Sequence, residues 1–506
     1  MTTAMMEQFN ASLTENFFQE STTDVFEKYD LVEEARIDEL GPIRKVTPKD
    51  SSTSVTSLRV YSLKTIHLNR VSRIDLQQEE LRQEIKALKA LDHPNIIKLY
   101  EVYYNEEDIH MLLEETKGDD LYSRSPYTER QAANISSQLA SAVAHMHENG
   151  VIHHALRFET IFFEHNGANA AIKVADFGGG ASQGTVSGAR SIYAKAPEAL
   201  EEGSVNALVD CWSMGVIFYM LLSGQIPFYA QRSKNMIAKI KRAKYSLSGQ
   251  AWDGISNGAK HLVANLLLVD TTKRYTSKQI LDHIWIRKWT AACAETAPLD
   301  DQLLTAVDDS LRQYRQSSIL KKLGLNIIAH KSTTQEIIAL RKVFDSIDKS
   351  HNGTVDFAEF KQGLGRSGFT EQELAQIFES IDVDHSGQIQ YTEFLAATLE
   401  ARGYLEEDRI AEAFAAIDRD GSGFIDKSKL TSILGQSCTS EQIDEIIKIA
   451  DKNNDGKISY DEFFDVFRDQ TMILAAQIGE VDEPTDLYDD DDFADFSLDF
   501  DPNSGM

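Results

Sequence analysis

Residues 348–359 read DKSHNGTVDFAE, and the same pattern returns as DVDHSGQIQYTE at 382–393, DRDGSGFIDKSK at 418–429 and DKNNDGKISYDE at 451–462. The four copies begin 34, 36 and 33 residues apart, a spacing that fits one repeated supersecondary unit. Each opens on an aspartate, carries a glycine at its sixth position, and places Val355, Ile389, Ile425 or Ile458 at its eighth. Oxygen-bearing residues recur at the odd positions. They meet at one point only if the chain turns sharply at the glycine, where no Cβ opposes a positive φ.

This is the ligand rule of an EF-hand, a helix–loop–helix unit that surrounds Ca2+ with oxygens from positions 1, 3, 5, 7, 9 and 12. The first loop offers Asp348, Ser350, Asn352, the Thr354 carbonyl, Asp356 and Glu359. The second offers Asp382, Asp384, Ser386, the Gln388 carbonyl, Gln390 and Glu393, and the fourth Asp451, Asn453, Asp455, the Lys457 carbonyl, Ser459 and Glu462. The third has Asp418, Asp420, Ser422, the Phe424 carbonyl and Asp426, but its twelfth position is Lys429, which supplies a cation where the others supply a bidentate carboxylate. Three working calcium sites and a weak or silent third are expected, with neighbouring hands pairing through their eighth residues. The competing reading keeps the loops as relics that only hold paired helices. Residues 334–470 are thus expected to form an all-α, calmodulin-like domain.

Working outward, residues 290–333 read as a junction. Within LRQYRQSSILKKLGLNIIAHK at 311–331, Ile319, Leu323 and Ile327 fall at helical spacing beside Arg312, Arg315, Lys321 and Lys322, which predicts one basic amphipathic helix. Residues 29–289 begin with β-like alternation in SLRVYSLKTI (57–66) and continue with helical patterns, LRQEIKALKALD (81–92) and ERQAANISSQLASAVAHMHE (129–148). Strands first and helices after predict an α+β domain followed by a helical one. Landmarks follow in order: Lys64 in VYSLK, Glu84, HPNIIKLYE at 93–101, Asp176 opening DFG, Pro197 and Glu198 in APE, Asp210 in VDCWSMGV, and Arg274. Their order, more than any one of them, predicts a bilobal protein-kinase-like fold.

Kinase-like domain, junction and four EF-hands in one chain resemble the calcium-dependent protein kinases of plants and protists, over about residues 29–470. The resemblance implies that Lys64, Glu84 and Asp176 are candidate residues for holding ATP and Mg2+, and that Asp210 braces the catalytic loop. It also implies a junction that blocks the cleft until calcium-loaded hands rearrange it. The bland alternative makes Lys64 and Glu84 a structural ion pair and Asp176 a turn cap, so ATP and Mg2+ stay open at this stage.

The chemistry departs from the family. An active kinase reads His-Arg-Asp-Leu-Lys-Pro-Glu-Asn in its catalytic loop, the Asp accepting the substrate hydroxyl's proton and the Asn holding a second Mg2+. Here the segment is His153-His154-Ala155-Leu156-Arg157-Phe158-Glu159-Thr160. Ala155 cannot accept a proton, Thr160 is a poorer metal ligand than Asn, and Arg157 replaces the lysine. The phosphate-covering loop, read at Leu40–Val46, keeps only Gly41 and includes Pro42, which has no N–H. A positioned acid or base alone is worth roughly 10² to 10⁴ in rate. The expectation is a calcium-binding pseudokinase that regulates or scaffolds. Two other readings stand beside it: an active Ser/Thr kinase using Asp176 or Glu159 as the base, and a structural or buffering calcium-binding component of a larger assembly.

Composition sets the outer bounds. A chain of 506 residues, 42% hydrophobic, can bury two or three cores. Its 51 Lys and Arg against 80 Asp and Glu give a net charge of −29, which argues against nucleic acid and anionic membrane surfaces and favours Ca2+ and basic partners. No protein partner is named by the sequence. The acidic tail, 471–506, includes YDDDDFADFSLDF, with Tyr488, Phe493, Phe496 and Phe500 among the acids; it reads as a solvated tail or as a segment that docks on a basic surface. Residues 1–28 read as a flexible arm. The three cysteines, at 211, 293 and 438, are too scattered for a disulfide framework or a zinc site. With no signal-like start, no glycine at position 2 and no long apolar run, a soluble, cytoplasmic protein without a direct membrane anchor is expected.

Overall fold

Along Tyr61–His67 nearly every side chain is buried, and this strand, β4, lies inside a six-stranded sheet. The computed structural model describes residues 19–37, 41–49, 59–71, 78–176, 192–201, 206–294, 300–365, 368–383, 385–403, 405–434 and 438–468. The other strands of the sheet are β1 (Gln19–Ser21), β2 (Tyr29–Ile37), β3 (Pro42–Pro48), β5 (Leu99–Tyr104) and β6 (Asp108–Glu114), in the order β1-β5-β6-β4-β3-β2. All neighbours are antiparallel except β1, which runs parallel to β5 with Gln19 opposite Glu101.

That pairing corrects the reading of residues 1–28 as a loose arm. From Gln19 onward the chain belongs to the sheet, and a single helical turn, Val25–Lys28, capped by the Asp24 side chain, buries Val25 completely. So short a strand, paired on one edge only, carries too little alternation to stand out from polar sequence.

Helix α1 (Gln78–Ala90) buries Leu81, Ile85 and Leu88 in the core of this domain. Helix α2 (Glu129–Glu148) starts at a capping box between Thr128 and Gln131. Helix α3 (Leu208–Ser223) is apolar on every side and runs through the interior, ending at Gly224 with φ 66°. The hairpin β7 (Ile161–Phe163) and β8 (Ile172–Val174) lies between α2 and α3 in the chain. This is the bilobal kinase-like arrangement.

The remainder is helical: α4 (Asp301–Gln316), α5 (Ile319–Lys331), α6 (Thr334–Ile347), α7 (Phe357–Gly363), α8 (Glu371–Ile381), α9 (Tyr391–Thr398), α10 (Glu407–Ile417), α11 (Lys427–Leu434), α12 (Ser440–Ala450) and a last helix over 460–468. Two-residue strands join the loops in pairs, Val355 opposite Ile389 and Ile425 opposite Ile458, as the eighth-position pattern predicts.

The junction departs from its sequence reading. One helix was expected over 311–331, but α4 ends at Ser317, whose backbone is extended, and α5 restarts where the Ser318 side chain accepts the Lys321 N–H at 3.2 Å. Both helices contribute to the same core as the EF-hands, which gathers Leu304, Val307, Leu323 and Ile327 with Phe360, Phe394 and Phe463. Lys321, expected on a basic outer face, is buried and paired with Glu400 at 2.8 Å. Among the described residues no helix is long and apolar enough to cross a membrane.

Candidate functional site

The kinase-like domain holds a cavity of about 310 Å³, lined by residues between Ile43 and Asp176, including Lys45, Lys64, Met111, Leu113 and Thr116. Strand β3 supplies Ile43 and Lys45 to its lining. Ile37 pairs with Pro42, and residues 42–48 are strand rather than the loop expected at 40–46. Gly41 immediately precedes β3. A Cβ there would lie 2.1 Å from the Thr65 carbonyl oxygen, so close approach to β4 is what requires the glycine. Residues 38–40 lie outside the described residues; their sequence, Asp-Glu-Leu, contains no glycine.

Beneath the cavity the catalytic loop is held as a kinase holds it. Asp210, on α3 and fully buried, accepts the N–H groups of His153 and His154, each at 2.9 Å. Burial alone would raise its pKa, but the hydrogen bond from His147 and the contacts with His153 keep it low. Arg274 grips Glu198 with both terminal nitrogens, at 2.5 and 3.1 Å. His154 and Asp176 adopt left-handed backbone, with φ 64° and 61°.

Inside this frame the reactive groups are replaced or engaged. Ala155 presents a methyl. The Thr160 hydroxyl donates to the Arg157 carbonyl at 3.0 Å and accepts the Arg157 N–H at 3.1 Å, so it serves its own loop. Tyr193 donates to Glu159 at 2.8 Å and accepts the Phe158 N–H at 3.1 Å. Lys64 reaches Asp176 at 3.3 Å across the cavity. Glu84 falls on α1, with its side chain outside the described residues. For Mg2+ and ATP the fit is partial: a lysine and a carboxylate meet in a cavity of suitable size, but the second metal ligand is a threonine turned to its own backbone.

The calcium loops are built alike. In each the sixth-position glycine has φ between 79° and 83°, and its N–H donates to the first-position aspartate: Gly353 to Asp348 at 2.9 Å, Gly387 to Asp382 at 2.9 Å, Gly423 to Asp418 at 2.7 Å and Gly456 to Asp451 at 2.7 Å. In loops 1, 2 and 4 the twelfth-position glutamate folds back across the loop. Glu359 accepts from the Ser350 and Asp356 N–H groups, Glu393 from Val383 and Gln390, and Glu462 from Lys452, Asn453 and Ser459. Asn352 Oδ1 accepts from the Thr354 N–H and hydroxyl, and Asn453 Oδ1 from the Asp455 N–H. The Ser386 hydroxyl donates to the Gln388 carbonyl; Asp384 lies outside the described residues. Beside its carboxylates each of these loops offers carbonyl, carboxamide or hydroxyl oxygens. That is a donor set for Ca2+. Burial, with Glu359 and Asp345 nearby, pushes the Asp348 carboxyl up to about 7, a burden that a bound divalent cation would lift.

Loop 3 differs as its sequence implies, and more. Lys429 reaches into the ring and touches Asp418, Asp420, Ser422 and the Phe424 carbonyl.

The EF-hand helices dock on the kinase-like domain through residues that the sequence reading missed. Arg341 on α6 pairs with Glu164, which lies 3.7 Å from Lys173, and Lys173 pairs with Glu114 at 2.9 Å. Thr334 donates to Glu114. Asp92 accepts the Thr392 N–H and hydroxyl at 2.7 and 2.8 Å, and Lys331 reaches Glu101 at 3.3 Å. Arg59 and Arg409 share Glu412. Loop 1 itself touches this face: a Cβ on Gly353 would sit 2.0 Å from the His93 ring. Leu113 and Thr116, flanking Glu114 in the chain, line the cavity, so the docked face lies against the segment that borders it. Among the described residues none of the junction lines the cavity. Gly324 on α5 instead lets Phe467 and Phe463 approach, where a Cβ would lie 2.5 Å from Phe467 Cζ.

Known proteins share this plan. A protein kinase domain model matches residues 51–286, beginning after the divergent β2–β3 hairpin, and an EF-hand domain pair model matches 337–399 and 407–468. Calcium-dependent protein kinase 2 of Zea mays is 34% identical over 432 residues, 82% of each chain. Calcium-dependent protein kinase 29 of Arabidopsis thaliana is 34% identical over 464 residues, 88% of this chain and 84% of that one. Calcium-dependent protein kinase 28 of Oryza sativa subsp. japonica is 36% identical over 404 residues, 77% and 75% of the two.

Proposed function

Since the chain belongs to the calcium-dependent protein kinase family, we propose that it is a calcium-responsive member without phosphoryl-transfer activity, acting as a regulatory or scaffold protein. Ala155 carries this reading. Asp210 holds the catalytic loop in place, so the missing base does not follow from a distorted fold; the position is kept, and the alanine there has no group that can accept a proton. The rival reading, an active kinase that borrows Glu159 or Asp176 as base, is weakened by their engagements, Glu159 with Tyr193 and Asp176 with Lys64.

Calcium enters through loops 1, 2 and 4. Loop 1 abuts His93, whose imidazole burial keeps well below its usual range. Ion binding there reorders a segment that is part of the docked face, and the kinase-like domain answers by presenting a different surface to a partner.

Transfer of labelled phosphate from Mg-ATP to a Ser/Thr substrate, by the full chain in saturating calcium, tests the reading. It should not exceed that of an Asp176→Asn control, and the pair Ala155→Asp with Thr160→Asn should raise it. Calcium-stimulated transfer by the unaltered chain above that control would sink the proposal.

A further inference from the structure

Loop 3 is more than a loop that has lost a ligand. The Lys429 ammonium lies 2.5 Å from Asp418 Oδ1, 2.5 Å from Asp420 Oδ1, 2.6 Å from Ser422 Oγ and 2.8 Å from the Phe424 carbonyl oxygen. These are positions 1, 3, 5 and 7 of the loop, the groups that would surround a calcium ion. The side chain is largely buried, and its backbone N–H is capped by Asp426, the ninth position, at 3.0 Å. Gly423 holds the same left-handed turn as the glycines of the other three loops, and Phe424–Ile425 pairs with Ile458–Ser459 of loop 4.

We propose that Lys429 is a tethered cation that keeps loop 3 in its loaded shape without calcium, and so holds the strand partner of loop 4 ready for an ion. The second half of the inference rests on loops 1, 2 and 4 binding calcium; the first does not. In the N-terminal pair of hands no such lysine occupies either loop's twelfth position, which is Glu359 or Glu393. Both strand pairs are formed in the structure, but only that of Ile425 and Ile458 has a built-in cation to hold it when calcium is absent. A site whose partner is already ordered binds more tightly, because the ordering does not draw on the binding free energy. The order of filling then follows, with loop 4 loading before loops 1 and 2.

The test is amide exchange of the full chain in calcium-free buffer. Amides at 424–425 and 458–459 should be protected relative to those at 355–356 and 388–389. Lys429→Met should cut that protection by roughly 10- to 100-fold, the worth of a charge-assisted hydrogen bond, and should weaken the tightest calcium site without changing the number of sites. Lys429→Glu should lose protection without calcium and regain it on calcium addition, with one more site by calorimetry; that recovery shows the variant lobe still folds. Equal exchange at the two strand pairs, protection unchanged in Lys429→Met, or a Lys429→Glu chain left unprotected in calcium would each overturn the proposal. If the unaltered chain binds no calcium, the calcium reading fails while the calcium-free exchange still decides the role of the lysine.

Discussion

Replacing Arg341 with methionine should loosen the kinase-like domain's hold on the EF-hand module. Arg341 and Glu164 are each 5% exposed, so the pair meets away from water. Burial pulls the guanidinium's pKa down, yet Glu164 and Asp345 more than reverse this, and the side chain stays charged. Removing one partner of a buried pair costs about 3–5 kcal/mol, because the other charge is stranded. Lys173 remains 3.7 Å from Glu164 and offsets part of that, which puts the expected loss near the lower bound, about 3 kcal/mol. All four tryptophans, at 212, 252, 285 and 289, lie in the kinase-like domain, so urea unfolding followed by their fluorescence reports that domain's stability separately from the helical module. Glu164→Gln should cost a similar amount, and the double variant clearly less than the two added together, with a coupling of about 2 kcal/mol or more. A coupling below about 0.5 kcal/mol would mean that the pair contributes nothing to docking, and the argument for a buried interdomain contact would fail.

Gly353→Ala and Gly387→Ala both place a side chain in left-handed backbone, at φ 83° and 79°, a strain of roughly 1–2 kcal/mol. Only the first also drives a methyl into His93, since the second faces open space. Calorimetry should find both calcium sites weakened, and tryptophan fluorescence should find only Gly353→Ala destabilising the kinase-like domain. Glu101 supplies the pH dependence: burial would raise its carboxyl, but Lys331 and Lys28 hold it at about 2, below its ordinary 4.5. A depressed carboxylate contributes stability that is full above pH 4.5 and is lost as pH falls through 2, so the folded chain should lose about 2 kcal/mol of stability between pH 5 and 3 from this group, and Glu101→Gln should flatten that slope.

The calcium loops were legible because their ligand rule is local, and the kinase-like fold because its landmarks keep their order. Elsewhere, sequence and structure part for physical reasons. Gly41 looked like the first glycine of a phosphate loop, but its requirement is close approach to Thr65, a residue on strand β4 that local sequence does not reveal. The run 311–331 is apolar at helical spacing on both sides of Ser317 and Ser318, so periodicity alone could not see the break that the serine cap imposes. Lys429 could be read as a lost ligand from its position. That its ammonium sits among positions 1, 3, 5 and 7 depends on a side-chain direction that spacing does not encode. The docked face was invisible because Asp92 and Thr392, or Glu164 and Arg341, are hundreds of residues or nearly two hundred residues apart and meet only in the folded chain.

Under the proposed function, a calcium signal crosses from loop 1 to the kinase-like domain. Amide exchange of the full chain, with and without calcium, should be followed at 334–347 and at 93–101, the two sides of the docked face. Protection that changes on both sides when calcium binds, and that Glu359→Gln abolishes, is the expected result. Exchange that calcium leaves untouched on both sides, while calorimetry shows loop 1 filled, would reduce the EF-hands to a buffer attached to an inert domain.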